Sequence, residues 1–128
     1  MATRDPVVRL AAPGERLDVR RLLNAGALEI PDPLAERTIL AAVESGGEDS
    51  RGEPLLGALV LDGKRIAAIA VRPRRRGQGV GTALVAAAAR RRDRLTARFD
   101  PSVRPFWASL GFAIEPVDGR DRLRGVRR

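Results

Sequence analysis

Apolar positions along this chain come in short runs, separated by Pro, Gly and Asp. Val7-Val8-Arg9-Leu10 is short and β-branched, which predicts a first strand before the break at Pro13-Gly14. From Glu15 to Leu28 the positions Leu17, Val19, Leu22, Leu23 and Ala27 fit a helical stripe better than alternation. Pro31 and Pro33 end that helix and leave room for a turn around Leu34–Arg37. Thr38 to Glu44 suits helix or strand, and the Gly46-Gly47 that follows favours a strand. Ser45 to Glu53 is polar and Gly-rich, so a loop is predicted there. Leu55–Leu61 and Arg65–Val71 flank Asp62-Gly63, a tight-turn dipeptide, and form a hairpin. Its second arm is apolar on both faces, as a central strand is. Val80 to Arg92 is an Ala-rich helix closed by three arginines, which oppose the negative end of its dipole. Leu95–Phe99 is a strand; Asp100-Pro101-Ser102 opens a short helix that Gly111 ends. Phe112–Val117 is a further strand, Asp118-Gly119 a turn, and Leu123–Val126 an edge strand. The pattern is α+β: a mostly antiparallel sheet with helices packed against it.

At 128 residues the chain is one domain, 1–128, with a single core. Absences narrow the chemistry more than abundances do. There is no Cys, so disulfides and thiolate chemistry are excluded, and no His or Tyr, which removes the commonest general base and a common acid. No apolar run approaches the roughly 20 residues of a membrane span, and the N-terminus lacks a signal-peptide stretch, so a cytoplasmic location is expected. Charge is unevenly spread. Residues 1–63 hold seven Arg against eleven acids, −4, while residues 64–128 hold sixteen Arg and one Lys against five acids, +12. A basic half favours an anionic partner.

The informative stretch is Val71-Arg72-Pro73-Arg74-Arg75-Arg76-Gly77-Gln78-Gly79-Val80-Gly81-Thr82. Three glycines at alternate positions let backbone approach a ligand with no Cβ in the way, and a turn alone needs only one. The helix that follows starts with unpaired N–H groups and a positive dipole end, which together make an anion site. Neighbouring arginines add charge-assisted bonds to phosphate oxygens. A dinucleotide fingerprint fails here because Thr82 stands where its last Gly belongs. A P-loop fails because Gly81, not Lys, precedes Thr82.

Arg76-Gly77-Gln78-Gly79-Val80-Gly81 resembles the Arg/Gln-x-x-Gly-x-Gly/Ala signature of the GNAT superfamily of N-acetyltransferases. Phe106-Trp107-Ala108-Ser109-Leu110-Gly111-Phe112 is similar to that family's Leu/Phe-Tyr-x-x-x-Gly-Phe. The resemblance covers residues 54–117 well and the N-terminal third in outline. It implies a sheet of six to seven strands with three to four helices, splayed open between the strand ending at Val71 and the strand Leu95–Phe99. Acetyl-CoA, as co-substrate, would lie in that opening, with no metal. Pantetheine would pair with the backbone of Ile69, Ala70 and Val71. The pyrophosphate would sit on the amides of Gly77, Gln78, Gly79, Val80, Gly81 and Thr82, beside Arg76. Trp107 is divided between the wall of the acyl site and a core anchor; Phe106 and Phe112 read as core. The acceptor amine, carried by a small molecule or a protein, would enter from the opposite side. There Glu29, Asp32, Glu36 and Glu44 would favour a cation.

The chain departs from that family where proton transfer is concerned. The strand Ile66–Val71 has no Glu, the Tyr position holds Trp107, and Asp100 replaces an Asn. Indole N–H donates a hydrogen bond but does not release its proton at neutral pH. Ser102, Ser109 and Glu44 are candidate relays, each outweighed by a structural role, and no catalytic residue is assigned. Two functions follow: acetyl transfer from acetyl-CoA to an amine, or acyl-CoA binding without turnover, as a sensor or partner subunit. A nucleic-acid-binding domain is the third reading; few aromatics for stacking and no helix–turn–helix pattern argue against it. Exposed sheet edges would allow a homodimer.

Overall fold

The computed structural model describes residues 6–26, 28–44, 55–117 and 122–128. The loop expected at Ser45–Glu53 and the Asp118-Gly119 turn lie outside them. Seven strands form one sheet: β1 (Val7–Leu10), β2 (Thr38–Val43), β3 (Gly57–Asp62), β4 (Arg65–Val71), β5 (Leu95–Phe99), β6 (Ala113–Pro116) and β7 (Leu123–Arg127), in the order β1-β2-β3-β4-β5-β7-β6. Among the described residues three α-helices flank it: α1 (Arg16–Ala25), α2 (Val80–Arg91) and α3 (Arg104–Ser109). The expected α+β fold, a mostly antiparallel sheet of six to seven strands, is the observed one, with seven strands among the described residues.

Thr38–Val43 is ambiguous by pattern because β2 is covered on both faces. Ile39, Ala41 and Val43 pack under α1 with Val19, Leu22 and Leu23, while Leu40 and Ala42 pack against Leu84, Val85 and Ala88 of α2. A strand so buried loses the alternation that marks it. Leu123–Val126 is a correction. β7 is not an edge: it lies between β5 and β6, pairing antiparallel with both, and β6 takes the edge. The last strand inserts because β5, joined to β4 through α2, presents a free side to it.

The single parallel contact among the described residues, β4 with β5, decides the architecture. It consists of Arg65 opposite Thr96 and Ile66 opposite Ala97, and extends no further. In the neighbouring ladder Val60 faces Ala68 and Leu61 faces Ile66, so Ala67 has no partner in β3. An unopposed residue bends and twists its strand. The bulge therefore falls one residue past the last β4–β5 pair, and from there the strands part.

Candidate functional site

β4 ends at Val71, and Arg72-Pro73 turns the chain out of the sheet. The Arg72 guanidinium donates to the Leu55 carbonyl, and its amide donates to the Leu56 carbonyl at 2.9 Å, fixing the turn to the start of β3. A 3-10 turn, Pro73–Arg75, leads into Gly77 and Gly79, both at positive φ (77° and 85°). Left-handed backbone is costly for residues with a Cβ, which explains glycine at both. Gly79 is the N-cap of α2, and an added Cβ there would meet nothing within 4 Å. Gly81 has a different cause: a Cβ there would lie 3.2 Å from the Phe106 ring. The protein's own geometry thus requires all three glycines. This corrects the expectation that a turn alone would need only one.

The first backbone bond of α2 runs from the Ala83 amide to the Gly79 carbonyl at 2.9 Å. None of the amides from Gly77 to Thr82 donates to another group among the described residues. They open onto a cleft of about 520 Å³ where β4 has parted from β5. Ile69, Ala70 and Val71 form one side of it; Arg75, Arg76, Gly77, Gly79, Val80, Gly81 and Thr82 form the floor; Gly26, Leu28, Val103 and Phe106 complete the wall.

Most of the residues singled out in the sequence therefore meet in one place, with two exceptions. The Gln78 side chain turns back to donate to the Arg74 carbonyl at 3.2 Å and does not line the cleft. Trp107 is a correction. It is 4% exposed, stacks on Phe99 at 5.2 Å and meets Phe106 and Phe112 edge-on at 5.2 and 5.0 Å. Such an apolar ring gains most where all its faces find partners. Phe106, read as core, stands on the cleft wall in its place. Leu28 and Val103 were missed, yet both leave a signal: they are large apolar side chains, 37% and 43% exposed, beside a concavity. Leu28 arrives there because its amide folds back onto the Leu23 carbonyl at 3.0 Å after α1 ends at Gly26.

Two of the acids near this region are paired. Glu44 pairs with Arg75 at 2.5 Å, and Asp32 pairs with Arg20 at 2.5 Å; that hydrogen bond holds the Asp32 carboxyl below the usual range. Glu29 and Glu36 are exposed and do not line the cleft. Asp100 accepts from the Ser102 amide at 2.9 Å, which likewise lowers its carboxyl, and Ser109 donates to the Phe106 carbonyl at 2.7 Å. Of the candidate proton relays, Glu44 and Ser109 thus have structural partners, and Ser102 serves the turn through its amide. Among the described residues the lining contains no Asp, Glu, His, Lys, Tyr or Cys. Among the described residues no three Asp, Glu, His or Cys gather to hold a metal, and no helix is long and apolar enough to cross a membrane.

Comparison with known proteins gives this geometry a family. Residues 37–114 match the family model of the acetyltransferase (GNAT) domain. Among solved structures, an acetyltransferase from Thermus thermophilus aligns at a TM-score of 0.70 and 17% identity, over 98% of this chain and 99% of its own. Rv2747 from Mycobacterium tuberculosis, solved in complex with CoA, aligns at 0.72 and 19%, over 94% and 98%. Ard1 from Thermoplasma volcanium aligns at 0.71 and 18%, over 95% and 96%. At such identities these structures share the fold. Among curated proteins none matches. The family match spans more than half of the chain and both glycine-containing motifs, and the chain belongs to the GNAT acetyltransferase family.

Proposed function

We propose that this protein transfers an acetyl group from acetyl-CoA to a primary amine by direct attack on the thioester. One observation carries the reading: a row of amide donors without protein partners among the described residues, Gly77 to Thr82, faces an apolar cleft at the point where β4 leaves β5. Diphosphate oxygens complement such donors, and Arg76 beside them adds charge. The backbone of Ile69, Ala70 and Val71 has no strand partner on its β5 side and accepts pantetheine as an added strand. Leu28, Val103 and Phe106 hold the acyl end away from water.

Acetyl-CoA, when bound, supplies an activated acyl group on a thiol leaving group. The chain's part is to hold it beside the amine, which is a large source of acceleration by itself. A thiol with an ordinary pKa of about 8.5 departs without a strong acid, so Trp107 need not act chemically. With no base among the described lining residues, the amine is taken to arrive neutral. Turnover is therefore expected to rise with pH toward the pKa of the amine, without a plateau set by the protein.

The same lack of acid and base favours a second reading, an acyl-CoA-binding module without turnover. Free-thiol release from acetyl-CoA, measured across a panel of primary amines, separates the two. Amine-dependent release that is lost in Gly79→Glu supports the transferase; saturable binding without release supports the module. Failure to bind acetyl-CoA at all contradicts both.

A further inference from the structure

A second concavity, of about 270 Å³, is lined by three arginines from three different elements: Arg16 at the start of α1, Arg37 just before β2, and Arg91 at the end of α2. α2 has twelve residues, about 18 Å at 1.5 Å per residue, so Arg91 lies a helix length from the amides at Gly79. This pocket is therefore at the opposite end of the sheet from the cleft. Three like charges around one hollow repel one another, and helix stability does not account for Arg16, which stands in the first turn, where the dipole disfavours a cation. Arg16 and Arg91 form no ion pair among the described residues. Arg37 reaches Asp62 only at 3.6 Å and the Asp32 carbonyl at 3.4 Å, and its buried Nε has no partner among the described residues. The part of the Arg37 guanidinium that stays accessible, 22% of its side chain, adds its charge to the hollow. Between the arginines the lining is apolar, with Leu10, Leu34 and Ile39.

We infer that this pocket binds a small organic oxyanion: a carboxylate or phosphate head held by Arg16, Arg37 and Arg91, with a short apolar body against Leu10, Leu34 and Ile39. The volume admits a metabolite and not a polymer, and the charge is focused on a hollow instead of spread along a face. The site is separate from the acetyl-CoA cleft and does not depend on that assignment.

The test is amide NMR of the full chain at constant ionic strength, titrated separately with inorganic phosphate and with butyrate. At least one is expected to shift Ala11, Thr38 and Arg91 saturably, and the tighter of the two names the head group. Arg16→Gln with Arg91→Gln, both exposed positions, is expected to weaken that binding about tenfold or more, roughly 1.4 kcal/mol. If the pair does not fold, Arg91→Gln alone carries the test. Shifts confined to Gly77–Thr82, no shifts, or unchanged affinity in the variant overturn the inference. A short DNA duplex that displaces both probes also overturns it, in favour of a nucleic-acid surface.

Discussion

Phe106 and Trp107 are adjacent in sequence and divide two tasks between them. Trp107 is surrounded by Phe99, Phe106 and Phe112, so Trp107→Ala leaves a large core void and is expected to cost about 3–5 kcal/mol in chemical denaturation. Phe106 is half-buried and gives one face to the cleft. Phe106→Ala is expected to lose less stability and to weaken acetyl-CoA binding measured by calorimetry. If Trp107→Ala folds normally and loses only binding, the division is reversed. The sequence could not separate the two, because a motif fixes which residue types recur but not which ring faces the ligand; one step along a helix turns a side chain by about 100°. Gly79 shows the opposite situation. Its open surroundings are what the reading from spacing expects, while its positive φ is a requirement of the backbone that the spacing did not reveal. Gly79→Glu is expected to keep the fold, at a cost of about 1–2 kcal/mol for a left-handed non-glycine residue, and to abolish acetyl-CoA binding by placing a carboxylate among the amide donors. Normal binding by that variant would place the ligand elsewhere.

Strands and helices add constraints that no single side chain carries. The parting of β4 from β5 coincides with the unopposed Ala67, a feature invisible in Ile66-Ala67-Ala68-Ile69, where nothing distinguishes one alanine from the next. The hairpin around Asp62-Gly63 and the Ala-rich α2 were legible, since turn residues and long apolar runs report on themselves. The position of β7 between β5 and β6 was not, because strand order is set by long-range pairing. If the open side of β4 receives acetyl-CoA, hydrogen exchange is expected to slow at Ile69–Val71 and Gly77–Thr82 on binding and to stay unchanged in β2. Uniform slowing, or none at β4, contradicts added-strand pairing. Elsewhere, Arg9 on β1 clamps Glu15, just ahead of α1, with bonds of 2.6 and 2.9 Å. The Arg9 hydrogen bond lowers the Glu15 carboxyl, with a smaller contribution from the Ala12 amide. A depressed carboxyl stabilises the fold above its unfolded value of 4.5 and loses that contribution as pH falls through the lower folded value. Glu15→Gln is therefore expected to flatten part of the acid branch of the stability curve; an unchanged branch removes the clamp's role.

Charge gives the chain its polarity: the half that carries the glycine turn is +12 and the other half −4. Association with a polyanionic co-substrate is then expected to slow as ionic strength rises, since screening shortens the reach of the field to about 10 Å at 0.1 M salt. That trend concerns attraction at a distance, whereas the proposed recognition rests on the amides at the mouth of α2. Calorimetric titration of the intact chain with acetyl-CoA and with S-acetylpantetheine, which lacks the diphosphate and the adenosine 3′-phosphate beyond it, measures what that end of the ligand contributes. The expected result is saturable binding of acetyl-CoA and a drop of at least about a hundredfold, roughly 2.7 kcal/mol, for the truncated ligand. Equal affinity for the two would contradict a diphosphate held at Gly77–Thr82.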